Sequence, residues 1–115
     1  MNTLADLTFL RTFTGGDAEK MKKYINLFLN GSGSLLEGVN RSLQAADWPA
    51  LKTAAHSLKS QVKYMGIKKA EELAYFIEQN AGAATNLDKL PEAAQELTQV
   101  TQNACEELRQ VVASL

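Results

Sequence analysis

The chain has 115 residues, 45% of them hydrophobic and 22% charged, with a net charge of −1. That length and balance suit one soluble domain around a single core, residues 1–115, and give no overall bias toward nucleic acid or an anionic membrane. No apolar run approaches the roughly 20 residues that span a bilayer.

The opening "MNTLADLTFLRTF" lacks the basic start and continuous apolar centre of a signal peptide. Cys105 is the only cysteine, so neither an internal disulfide nor a cysteine metal cluster can form. A cytoplasmic protein is expected, with Cys105 an inert thiol in a C-terminal helix.

No segment alternates with a period of two, and helical periodicity runs through the whole chain. A short first helix is predicted over 4–12, with Leu4, Leu7, Phe9, Leu10 and Phe13 supplying apolar positions; "TGG" at 14–16 ends it. Asp17 is a suitable N-cap for the second helix. Its apolar stripe comprises Met21, Tyr24, Ile25, Phe28, Leu35, Val39, Leu43 and Ala46. Gly31 and Gly33 interrupt it at a cost of about 1 kcal/mol each. The stripe nevertheless stays in phase across them, which favours one long helix.

Asp47 caps a third helix, Pro49 fits its first turn, and Gly66 ends it. Ile67, Ala70, Ala74, Ile77 and Ala81 mark a fourth helix, expected to stop at the "NAG" of 80–82. Leu90, Ala94, Leu97, Thr101, Ala104, Leu108, Val111 and Leu115 then follow a 4-3-4-3 spacing suited to packing against neighbouring helices. The expected fold is all-α: an antiparallel four-helix bundle with a short extra N-terminal helix. Monomer is the default expectation.

Charge is distributed unevenly. Residues 1–47 carry five acids and five bases; 48–70 carry Lys52, Lys59, Lys63, Lys68 and Lys69 with no acid; 71–115 carry eight acids against Lys89 and Arg109. The only histidine, His56, lies in the basic segment. At about 100° per residue, Leu51, Ala54, Ala55, Leu58, Val62 and Met65 share one face of the third helix, and His56 lies about 150° from its centre. It is therefore expected to face water.

Lys52, Lys59 and Lys63 flank His56 at i−4, i+3 and i+7. Such neighbours should disfavour protonation, leaving a nucleophilic lone pair, and can donate charge-assisted hydrogen bonds to an anion joined to the ring. This pattern suits phosphoryl acceptance. Zinc would need further ligands nearby. A hydrolase triad would need an orienting carboxylate, and although Ser57 and Ser60 are present the segment has no acid. No glycine-rich "GxxxxGK" loop is present to bind ATP, so the phosphoryl group must come from elsewhere.

"AAHSLKSQVKYMG" (54–66) resembles the signature of histidine phosphotransfer (HPt) domains. Ala55, His56, Leu58, Lys59 and Gly66 match it, the glycine standing ten positions after the histidine. "GGDAEKMKKYINLF" resembles that family's entry into its long second helix, "AADWPAL" the acidic-aromatic turn that opens the histidine helix, and "AEELAYFIE", closing on Glu78, the helix that follows. The resemblance implies that His56 accepts a phosphoryl group on its distal ring nitrogen from a receiver-domain aspartyl phosphate and relays it to another receiver. Lys59 is then the phosphate-stabilising lysine.

Two positions depart from the pattern. Ser60 stands where glycine is usual, giving a hydroxyl that can donate a hydrogen bond or obstruct docking, and Gln61 stands where a small residue is usual. Lys52, Ser60, Gln61, Lys63 and Tyr64 are candidate receiver-docking residues, with Phe9 beside them. The implied domain is not itself a kinase and binds no cofactor; Mg²⁺ belongs to the partner receiver. The donor can be a free receiver or one within a hybrid sensor kinase. A binding-only bundle with an incidental His56 is the competing reading. A nucleic-acid-binding bundle is disfavoured by the net charge of −6 over residues 71–115 and by the lack of aromatic interleaving in the basic helix.

Overall fold

A computed structural model describes residues 3–115. Five α-helices occur among them: α1 (Thr8–Thr14), α2 (Ala18–Gln44), α3 (Trp48–Tyr64), α4 (Lys68–Ala83) and α5 (Leu90–Ser114). A 3-10 turn, Leu87–Lys89, leads into α5. Short connections fold α2 to α5 back on one another as an antiparallel bundle. α3 packs against α2 and α4, and α5 closes the ring by packing against α4 and α2. α1 lies on α2, outside the ring. The molecule measures 43 × 25 × 19 Å, its long dimension close to the length of α2.

The caps read from the sequence are formed. The Asp17 side chain accepts from the Lys20 N–H and that of Asp47 from the Ala50 N–H, each satisfying an otherwise unpaired donor of the first turn. Helix α2 runs unbroken through Gly31 and Gly33. Packing carries it through: Ser32, between the glycines, is buried with its hydroxyl 3.3 Å from Cys105 Sγ of α5. Ile25, Val39, Leu51, Leu58, Val62, Ile67, Ile77, Leu90, Leu97 and Leu108 are fully buried and fill the interior. The spacing expected for α5 holds from Leu90 to Leu108, whereas Leu115 lies exposed at the end.

Three boundaries differ from expectation. The first helix begins at Thr8, not Leu4, because the backbone before it is committed elsewhere. Leu4 and Ala5 donate their N–H groups to the two carboxylate oxygens of Glu107 on α5, and the Asp6 N–H bonds to the Gly66 carbonyl. The Asp6 side chain then accepts from the Thr8 N–H and hydroxyl, opening α1 there. Residues 4–6 form a strap rather than a helical turn. Helix α4 passes through Gly82 to Ala83, because Ala84 and Asn86 take the left-handed conformation that ends it. Ala46, assigned to the stripe of α2, is exposed in the α2–α3 turn with φ of 53°.

Gly66 combines two requirements. Its φ is +64°, and a Cβ there would stand 1.9 Å from the Asp6 carbonyl oxygen. A side chain would collide with the strap.

Candidate functional site

Helix α3 places Leu51, Ala55, Leu58 and Val62 in the core, so residues on its opposite side are forced outward. His56 is among them, its side chain 61% exposed. The lysine segment is not the ring's nearest charged neighbour. Glu78, 22 residues further on in α4, places Oε2 2.6 Å from His56 Nδ1 and Oε1 2.6 Å from Lys59 Nζ. It does so from a nearly buried position, its side chain 9% exposed.

Burial is the largest influence on the Glu78 carboxyl and pushes its pKa up. The hydrogen bonds from Lys59 and His56, with the charges of both, outweigh it and hold the group below the usual carboxylate range. Glu78 is therefore ionised at neutral pH and can only accept. Nδ1 must then be the donor, which fixes the tautomer of a neutral ring and leaves the Nε2 lone pair pointing away from the carboxylate. The charged group bonded to the ring is thus a carboxylate from α4, not a lysine of its own helix. The fold supplies the orienting acid that the local sequence lacks, and one of the three lysines is already paired with that acid.

The Lys59 ammonium also lies over the ring of Tyr75, 5.3 Å from its centroid. Lys52 turns along α4 instead: a Cβ on Gly82 would meet its Cδ at 3.1 Å. Ser60 donates to the His56 carbonyl at 3.2 Å, so its hydroxyl is occupied by the helix backbone rather than by the imidazole. No serine hydroxyl bonds a nitrogen of the His56 ring among the described residues, so Glu78 does not complete a hydrolase triad.

Beyond Ser60 the surface becomes apolar. Phe9 and Tyr64 meet with centroids 5.8 Å apart, and Phe13 meets Tyr24 edge-on at 5.4 Å. Gln61 and Tyr64 of α3 join Phe9, Phe13, Tyr24 and Leu27 around a cleft of about 300 Å³. Phe9, Phe13, Leu27 and Tyr64 are more than half exposed. Together they form one exposed apolar patch on a small chain. Lys63 borders it beside Phe9, Ser60 and Tyr64. Thus Ser60, Gln61, Lys63 and Tyr64 lie on the α1 side of His56, whereas Lys52 and Lys59 lie toward α4. Sequence reading missed Glu78 as an imidazole partner and Tyr75 altogether; both belong to another helix, and no local spacing signals them.

The family model for the Hpt domain matches residues 23–113, most of the chain. The chain belongs to the Hpt domain family. Its function is histidine phosphotransfer in a phosphorelay, and receiver domains are the partner class of such modules, which are relay intermediates rather than kinases. No curated protein matches the sequence significantly. Among solved structures, the Hpt fold is shared with histidine-containing phosphotransfer protein B (HptB) from Pseudomonas aeruginosa PAO1. The TM-score is 0.89 at 19% identity, over 100% of this chain and 99% of that one. Among the described residues of this Hpt domain no three His, Cys, Asp or Glu side chains gather in a way that could hold a metal, and no helix is long and apolar enough to cross a membrane.

Proposed function

We propose that His56 is the phosphoacceptor, that it attacks through Nε2, and that Glu78 and Lys59 support it. The observation carrying this reading is the orientation of the imidazole: an exposed ring held at Nδ1 by an ionised, nearly buried carboxylate. The Nε2 lone pair attacks the phosphorus of a receiver's aspartyl phosphate in line. As the N–P bond forms, the P–O bond to the aspartate breaks and its electron pair stays on the departing carboxylate. The ring, still protonated at Nδ1, becomes a cationic phosphoimidazolium, and Glu78 at 2.6 Å stabilises that charge as it develops. Transfer to a second receiver reverses the steps.

The receiver brings the aspartate and Mg²⁺ for the transferring oxygens; this chain brings a positioned nucleophile. The Lys59 ammonium has three N–H groups, and its bond to Glu78 uses one. The others are available to phosphoryl oxygens. Lys52 and Lys63 add positive potential on either side of His56, while Phe9, Gln61 and Tyr64 form the apolar part of the docking surface. Ser60, with its hydroxyl bonded inward, is compatible with close approach of the receiver.

The domain works as a cytoplasmic monomer without a cofactor or ATP-dependent activity of its own. Its phosphoryl donor is a free receiver or one in a hybrid sensor kinase. The test is incubation with a phosphorylated receiver and Mg²⁺, reading acid-labile, base-stable label by gel and intact mass. Label on the wild type and none on His56→Gln is the expected result. Label persisting on the variant, or absent from a folded wild type offered several receivers, overturns the assignment.

A further inference from the structure

We infer that Tyr75 is a positioning residue, whose ring holds the Lys59 ammonium beside His56. The inference rests on the reading of His56 as phosphoacceptor. Lysine carries four flexible carbons and a strongly hydrated charge, and on a helix surface it ordinarily extends into water. Lys59 does not: its side chain is 22% exposed, against 61% for His56 three residues away. Two groups of α4 hold it, Glu78 Oε1 at 2.6 Å and the Tyr75 ring at 5.3 Å. Tyr75 precedes Glu78 by three residues, on the same side of α4, so ring and carboxylate form two walls around one cation.

The second wall matters once the phosphoryl group is in place. A dianion on Nε2 then competes with Glu78 for Lys59. A tether by the carboxylate alone leaves the ammonium free to swing outward. With the ring face attracting it as well, it stays within the cluster and can serve both anions.

Breakdown of the phosphohistidine by water breaks the N–P bond, returns its electron pair to Nε2 and yields inorganic phosphate. The phosphoryl oxygens bear more negative charge in the intact phosphohistidine than in the loose, metaphosphate-like transition state. A fixed cation beside them therefore stabilises the ground state more, and lengthens the lifetime of the charged relay. The attraction belongs to the ring face rather than to the hydroxyl, so phenylalanine should substitute for tyrosine.

The experiment loads His56 with phosphoramidate, which phosphorylates histidine without a receiver, and follows the half-life of the label at neutral pH. Tyr75 is 53% exposed, so its replacement leaves the core intact. Tyr75→Leu should shorten the half-life roughly two- to five-fold, and Tyr75→Phe should keep the wild-type value. The effect of Tyr75→Leu should vanish when Lys59 is replaced by glutamine.

A wild-type half-life in Tyr75→Leu, a loss in Tyr75→Phe equal to that in Tyr75→Leu, or a full effect without Lys59 overturns the inference. Because the loading is chemical, the comparison stands even if no receiver transfers label to the wild type, a result that would sink only the proposed relay. A chain that takes no label at His56 from phosphoramidate overturns both.

Discussion

Glu78 divides its two oxygens between His56 and Lys59, and its replacement has two separable consequences. In Glu78→Gln the shape is kept and the charge is lost. The amide can still meet Nδ1, but it stabilises a phosphoimidazolium poorly, so transfer at saturating receiver should fall about tenfold, on the order of 1.4 kcal/mol of barrier. Stopped-flow or quench-flow transfer, with receiver concentration varied, separates this from weakened docking.

The second consequence is a dependence on pH. In the folded chain Glu78 titrates below the ordinary glutamate range, so its ion pair contributes stability above that range and loses it as pH falls through the lowered folded pKa. Denaturant melts should show wild type more stable than Glu78→Gln at pH 7, with the gap narrowing below about pH 4. Another residue-scale effect lies in the core, where the fully buried Thr101 leaves its Oγ1 without a hydrogen-bond partner. Thr101→Val keeps the shape and removes the unsatisfied hydroxyl, so a urea melt should show a gain of about 1 kcal/mol.

At the scale of elements, α2 and the α3–α4 turn use glycine in opposite ways. A Cβ on Gly31 or Gly33 would meet nothing within 4 Å. Both positions are helical, so alanine at either should stabilise by about 0.5–1 kcal/mol, read as a higher urea midpoint at unchanged m-value. The glycines weaken the helix but do not shape it, and the burial of Phe28, Ser32 and Leu36 on the inward face keeps it continuous.

Gly66 is the contrary case. Gly66→Ala meets both a left-handed backbone and the Asp6 carbonyl, and should cost about 2 kcal/mol or more. The damage would reach beyond the turn. Helix α1 has only seven residues, too few to persist alone, and it depends on the strap that Gly66 and Glu107 fasten. Since α1 carries Phe9 and Phe13 to the aromatic cluster, hydrogen exchange in residues 4–14 should rise in Gly66→Ala, with receiver affinity falling alongside.

For the whole molecule, the separation of charge along the chain becomes a separation in space. The acid-free segment 48–70 spans all of α3, the turn after it and the first residues of α4, and four of the acids of residues 71–115 lie on α5: Glu92, Glu96, Glu106 and Glu107. Lys52 and Lys63, both exposed, thus share α3 with His56, on a molecule whose net charge is only −1. Such a local field steers an acidic partner without committing the protein to polyanions in general. Association with a receiver should slow as salt is raised from 50 to 500 mM. Lys52→Glu with Lys63→Glu should lower the association rate by about tenfold while leaving dissociation nearly unchanged. Surface plasmon resonance at several ionic strengths measures both; equal loss in the two rates would remove steering as the cause.

The all-α bundle, the continuity of α2, the Asp17 and Asp47 caps and the outward direction of His56 were all determined by the sequence alone. The caps, the helical stripes and the direction of His56 depend on residues within a turn or two of one another, and a helix's own period decides which of its faces is buried. The in-phase stripe of α2 signals its continuity, which packing against α5 then secures. The tertiary structure decided what the imidazole touches. Glu78 reaches it from a helix 22 residues away, and Tyr75 reaches Lys59 the same way. A period of 3.6 says which side of α4 faces α3, but not the axial offset that sets one carboxylate against one ring nitrogen. The start of α1 was hidden for the same reason: Leu4 and Ala5 fit a helical stripe, yet their N–H groups bond a carboxylate more than a hundred positions away. Local periodicity describes the chain until a distant partner satisfies the backbone or the charge better than the next turn would.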